Sequence, residues 1–141
     1  MGSNYIPAAI KRLVRERANY CCEYCLIPEA FTFASHEIDH IIERKPGGQT
    51  TANNLALSCA ICNKHKGSDL ASIDPETDKL TSLYHPRKEK WQKHFRIEDS
   101  RIIALTPEGR VTVRLLKFNR QERCEERRLL MGAGFLKSNE I

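Results

Sequence analysis

Cys22-Glu-Tyr-Cys25, then Glu37-Ile-Asp-His-Ile-Ile42, then Cys59-Ala-Ile-Cys-Asn-Lys-His-Lys-Gly67: these three pieces decide how the chain folds. Two Cys-x-x-Cys pairs bracket an Asp-His dipeptide, and Asn63 follows the last thiol directly. Zinc takes four ligands in a tetrahedron, and a two-residue gap lets both sulfurs of one knuckle turn toward one ion. Cys22, Cys25, Cys59 and Cys62 are therefore expected to bind one structural Zn²⁺, closing the 33 residues between Cys25 and Cys59 into a loop. Cys21 competes with Cys22, because Cys21-x-x-x-Cys25 is also a usable spacing. The two-residue gap mirrors the second knuckle, so Cys22 is taken as the ligand. Four thiolates leave no open coordination position, so this zinc is expected to hold a loop and do no chemistry. Cys124 stands alone and reads as a small buried residue.

Between and after the thiol pairs lie the residue types that phosphodiester hydrolysis needs. Mg²⁺ or Mn²⁺ binds oxygen and keeps several waters, so one carboxylate and one amide oxygen suffice to hold it. Asp39 supplies the carboxylate and Asn63 the amide. His40 is the candidate base, because an unperturbed imidazole titrates near neutrality. Residues 36–42 read as a strand, on which Asp39 and His40 point to opposite faces. On a helix expected from about residue 60 to 67, Cys59 and Cys62 share a face, and Asn63 is turned about 100° away. Lys66 lies three residues beyond Asn63, on the same side, where it is expected to meet a phosphate. Lys64, Lys66, Arg44 and Lys45 are the expected nucleic-acid contacts. His36 reads as an ordinary strand histidine, His65 as a solvated helix residue or a DNA contact, and Glu37 as a weakly supported helper ligand. His85 and His94 read as structural or exposed.

The chain has 141 residues and a formal net charge of +5. That length makes one domain the default, and the charge favours a polyanionic partner. No segment approaches the roughly 18 apolar residues of a membrane span, and no secretory signal is visible at the N-terminus. A cytoplasmic location is expected, where paired Cys-x-x-Cys motifs bind metal in preference to forming disulfides. Residues 1–19 read as an N-terminal helix, 20–70 as the core with the zinc clamp, and 71–141 as a C-terminal extension.

In the helix expected over 7–18, Ile10, Leu13, Val14 and Arg17 form the buried stripe, with Lys11, Arg12 and Arg15 on a solvated face. Leu55 and Leu57 mark a second short strand. Asp74-Pro-Glu-Thr-Asp78 reads as a surface turn, and 86–94 as a short basic helix with Trp91 and Phe95 toward the core. The segment 87–101, net +3, is able to touch phosphates without reading sequence. Residues 101–105 and 111–116 flank Thr106-Pro-Glu-Gly109, which reads as a hairpin. Asn119 is expected to cap a helix over about 120–131. Glu122, Glu125 and Glu126 alternate there with Arg123, Arg127 and Arg128, as on a salt-bridged solvent face or a partner surface.

From about residue 20 to 69 the chain resembles the HNH endonuclease family. The likeness is carried by the four cysteines, Asp39-His40-Ile-Ile42, Gly47-Gly48, Asn53-Asn-Leu-Ala-Leu57 and the Cys62-Asn-Lys-His-Lys66 ending. It implies a ββα-metal motif with a four-cysteine structural zinc site; with the N-terminal helix and the C-terminal hairpin-plus-helix extension read above as its flanks, the expected fold is α+β. It also implies that Asp39 and Asn63 hold the catalytic cation, that His40 activates water, and that Asn54 braces the loop that aims His40. Asn53 is the alternative brace, but Asn54 directly precedes Leu55. Glu43 stands where the family often has proline, a change expected to affect the turn and not the chemistry. The implied activity is metal-dependent hydrolysis of DNA, with RNA also open as a substrate, leaving 3′-hydroxyl and 5′-phosphate ends. Two rivals stand beside it: a zinc-ribbon module that binds nucleic acid without cutting it, and a protein-interaction domain scaffolded by zinc.

Overall fold

Proline opens the first helix, because its fixed φ suits a helix start and its missing N–H is not needed there. The computed structural model describes residues 5–43 and 47–136. Helix α1 (Ala8–Arg17) follows Pro7 directly. Val14 is fully buried and packs, with Ile10, against Leu55 and Leu57. The Arg17 guanidinium continues this face by donating to the carbonyl oxygens of Ala52 (2.7 Å) and Leu55. Leu13 differs from the expectation and is exposed. It lies at the edge of the arc that Ile10, Val14 and Arg17 already fill.

Strand β1 (Glu37–His40) pairs antiparallel with β2 (Leu55–Ser58), Asp39 opposite Ala56 and His40 opposite Leu55. All of β2 is buried, with Leu55 and Leu57 toward α1 and Ala56 in the larger core cluster. Full burial of a leucine stabilises by about 2 kcal/mol, so this strand anchors the unit. Helix α2 (Ala60–Lys66) begins at Cys59, whose sulfur accepts the Cys62 N–H at 3.4 Å. It stops at Gly67, with φ +52°, a left-handed conformation that glycine adopts without a Cβ clash.

The later half carries two more hairpins. Strands β3 (Ala71–Ile73) and β4 (Leu80–Ser82) pair antiparallel across the 74–78 turn. Asp74 in that turn is fully buried, because Arg110 clamps its two oxygens at 2.9 and 2.7 Å. Helix α3 (Trp91–His94) is a single turn, shorter than the 86–94 expected, and β5 (Phe95–Glu98) follows at once.

The hairpin expected around Thr106-Pro-Glu-Gly109 is not there. Strand β6 (Arg101–Ala104) pairs with β5 through Asp99 and Ser100, both at positive φ (50° and 65°), the geometry of a tight two-residue hairpin. Thr106 instead caps helix α4 (Pro107–Leu115): its hydroxyl accepts the Gly109 N–H at 3.0 Å, with Pro107 in the first turn. A threonine followed by proline is as good a helix start as a turn, and the hydrophobic run after it has buried Val111, Thr112 and Leu116 at helical spacing. Helix α5 (Gln121–Gly132) starts at Arg120 without a side-chain cap. Asn119, expected as the cap, uses its carboxamide on the Ile102 backbone, accepting from N at 2.9 Å and donating to O at 2.8 Å.

One buried cluster runs across these parts, from Cys22, Tyr24 and Ala56 to Trp91, Phe95, Ile102, Leu116 and Phe118. The Trp91 indole N–H donates to the Tyr24 carbonyl at 2.8 Å, and Arg87 pairs with Glu23. Among the described residues no helix is long and apolar enough to cross a membrane.

Candidate metal centre and active site

Each knuckle is shaped by backbone N–H groups turned onto a sulfur. Cys22 Sγ accepts from Tyr24 N and Cys25 N, both at 3.4 Å, and Cys59 Sγ accepts from Cys62 N at the same distance. The four sulfurs of Cys22, Cys25, Cys59 and Cys62 lie within 4.8 Å of one another, all buried, and the Cys25 and Cys59 sulfurs are 3.7 Å apart. A Zn–S length of about 2.3 Å gives a tetrahedral edge of about 3.8 Å, so this quartet fits a structural zinc. Cys21 is half-buried and outside the quartet, as is Cys124. Burial pushes the Cys22 and Cys62 thiols well up, whereas hydrogen bonds from the other three sulfurs pull Cys25 well down. A divalent cation would neutralise thiolates gathered in so buried a site.

A fifth residue joins this centre that the sequence reading put on a salt-bridged solvent face or a partner surface. Arg123 of α5 is buried (5% exposed), and its Nη2 lies 3.2 Å from Cys62 Sγ and 3.8 Å from Cys59 Sγ. Arg127, one turn on, is also buried and donates to the carbonyls of Ser100 and Phe118. Arg123, Arg127 and Leu130 fall at i, i+4 and i+7, a buried stripe disguised by two arginines. That spacing was the available signal.

On β1, Asp39 and His40 are both buried (3% and 8% exposed) and alternate across the strand. Glu37 shares the Asp39 face, and α2 lies across it: Asn63 Nδ2 donates to Glu37 Oε1 at 2.9 Å, and Lys66 Nζ sits 3.3 Å from Asp39 Oδ2. The Tyr24 hydroxyl donates to the same Asp39 oxygen at 3.0 Å. Burial raises the Asp39 carboxyl above the ordinary range; Lys66 and the Tyr24 hydrogen bond oppose this, and Glu43 adds to it. His40 Nε2 lies 2.9 Å from Thr50 Oγ1. Asn54 holds the segment between them: it accepts from Ile42 N at 2.9 Å and donates to Ile42 O and Gln49 O, each at 2.8 Å. Tyr24 and Thr50 went unnoticed in the sequence because nothing local links them to Asp39 or His40.

The expected nucleic-acid contacts divide. Lys64 is exposed on α2. Lys66 is not available to a phosphate: it is 2% exposed, and besides Asp39 it donates to the carbonyls of His40 and Ile41 at 3.3 and 3.1 Å. The reason is packing, since the α2 face that carries Asn63 and Lys66 closes over β1. Arg44 and Lys45 lie outside the described residues. His36 is buried with Nε2 2.9 Å from the Ile27 carbonyl, a structural role. Partial burial lowers the His65 pKa, and the positive charges of Arg120, Lys117, Arg123 and Lys64 lower it further. Lys117 and Arg120 are exposed, so they extend the basic surface beyond α2.

Comparison with known families matches residues 22–69 to the one described as HNH endonuclease. No curated protein and no solved structure matches the chain. The matched span runs from the first zinc-clamp cysteine past the end of α2, and the β1-β2-α2 order within it is the ββα unit. Residues 22–69 are thus the part of the chain that is similar to the HNH endonuclease family.

Proposed function

We propose that this protein is a metal-dependent endonuclease that hydrolyses DNA phosphodiester bonds. The observation that carries the reading is the meeting of α2 with β1: Asn63 bonds Glu37 and Lys66 pairs with Asp39 on one strand face, while His40 follows at the adjacent strand position with the loop after it clamped by Asn54. Asp39 and Asn63, with Glu37 beside them, are oxygen donors of the kind Mg²⁺ or Mn²⁺ takes. A cation held there supplies positive charge to the scissile phosphate and its leaving oxygen.

The chain's own residues do the rest. His40 Nε2 is 2.9 Å from Thr50 Oγ1, and in the tautomer that donates from Nε2–H to that hydroxyl the lone pair is on Nδ1. Nδ1 takes a proton from water as the water oxygen bonds to phosphorus, and the P–O3′ bond breaks with its electron pair on the 3′ oxygen, which takes a proton from a second water while His40 returns its own to solvent. The products are a 5′-phosphate and a 3′-hydroxyl. Asn54 keeps the loop after His40 in register. Lys64, Lys117 and Arg120 are suited to phosphates of the duplex, contacts that position it without reading bases.

A second reading has one observation in its favour. The Lys66 ammonium beside Asp39 acts as an internal counter-ion, as it would in a zinc-ribbon module that binds nucleic acid without cutting. Supercoiled plasmid incubated with the protein and Mg²⁺ or Mn²⁺, with and without EDTA, separates the two. Nicking that EDTA abolishes is the expected result. Binding without nicking in every metal tested overturns the nuclease reading in favour of the second.

A further inference from the structure

The Arg123 guanidinium is directed at the sulfur cluster by groups on both sides. Nη2 meets Cys62 Sγ at 3.2 Å and Cys59 Sγ at 3.8 Å, while Nη1 donates to the Leu116 carbonyl at 2.7 Å and the Lys117 carbonyl at 3.3 Å. Its Cζ stands 5.8 Å from the centre of the Phe118 ring. A buried cation of this kind requires anionic partners, and within hydrogen-bond reach the structure offers it sulfurs and carbonyls. Four thiolates around one Zn²⁺ form a doubly negative unit. The second knuckle has one backbone N–H on its sulfurs, from Cys62 to Cys59, and the guanidinium supplies charged donors to both.

We propose that Arg123 is a positioning residue of the metal centre: it hydrogen-bonds the second-knuckle thiolates from outside the coordination sphere, halves the negative charge of the loaded site, and ties α5 to it. The C-terminal helix is then part of the zinc site. A charged N–H···S bond draws electron density from the sulfur, which makes Cys62 a poorer nucleophile and a ligand slower to leave. The proposal rests on the cluster holding zinc and is independent of the nuclease reading, so failure of one leaves the other standing.

The test compares the wild-type chain with Arg123→Gln and Arg123→Lys, each loaded with zinc or with Co²⁺. Arg123→Gln should release zinc to a chelator about tenfold faster, the size expected for loss of an outer-shell partner. Its Co²⁺ form should show the sulfur-to-metal charge-transfer band at longer wavelength, because the sulfur donor orbital is no longer stabilised. Arg123→Lys, which keeps the charge and loses the fork, should fall between. Variants that fold with wild-type release rates and an unshifted band would overturn the proposal. If Arg123→Gln does not fold, Arg123→Lys decides on the same readouts. If neither folds, the wild type loaded with cadmium-113 decides. Its Arg123 guanidinium protons should exchange slowly with water and couple to the metal; exchange as fast as in free arginine overturns the proposal.

Discussion

His40 and Asn54 make separable demands on the residue chemistry of the site. His40 is the proposed proton acceptor, so His40→Ala should lower plasmid nicking by about 10²–10⁴-fold, with zinc content and melting temperature close to wild type. A variant that nicks at the parental rate would remove His40 from the role. Asn54 makes three hydrogen bonds across the loop that follows β1, two of them to the Ile42 backbone. Asn54→Ala leaves those backbone groups without their partner, at a cost of about 1–3 kcal/mol. It should lower both the thermal midpoint and the nicking rate while the four cysteines still bind zinc. Loss of zinc with Asn54→Ala would show instead that the loop and the clamp fold as one unit.

Element packing makes its own predictions in the extension. Arg110 of α4 reaches into the β3–β4 turn, and its paired hydrogen bonds hold the Asp74 carboxyl well below the usual carboxylate range. A depressed native pKa stabilises the fold at pH values above the unfolded carboxyl's pKa of about 3.9, and that contribution is lost as pH falls from there through the lowered native value. Denaturant melts of wild type and Arg110→Ala should therefore differ at pH 7 and draw together as the pH is taken down toward about 2. A gap that stays constant with pH would place the stabilisation in packing and not in the ion pair. Gly109 lies against the last residue of α3: a Cβ there would come 2.5 Å from the His94 carbonyl oxygen. Gly109→Ala should destabilise by about 1–3 kcal/mol through forced backbone displacement, seen as a lower thermal midpoint without loss of zinc.

For the whole molecule the dependence runs through the sulfur cluster. Cys22, Cys25, Cys59 and Cys62 belong to the same buried cluster as Trp91, Phe95 and Phe118, and Arg123 reaches them from α5. Metal-binding energy at such a site is folding energy. Chelating the zinc, or substituting Cys59→Ser, should therefore unfold the extension together with the 22–69 domain, in a single transition followed by tryptophan fluorescence at Trp91. An extension that keeps its Trp91 signal in the metal-free protein would show that its core stands alone.

Local spacing alone determined the thiol quartet, the β1-β2-α2 order and the adjacency of Asp39 and His40. Ligand gaps, strand alternation and helix caps are properties of a few neighbouring residues. The same kind of signal misled at Thr106-Pro-Glu-Gly109, where a helix cap and a turn share one composition; only the pairing of β6 with β5 decided between them. Only tertiary structure could show that Lys66 turns inward to Asp39, that Thr50 meets His40, and that Arg123 and Arg127 are buried. In each case the partner is distant in sequence or on another element, and a charged side chain becomes a core residue only once the fold brings it a carboxylate, a carbonyl or a thiolate to neutralise it.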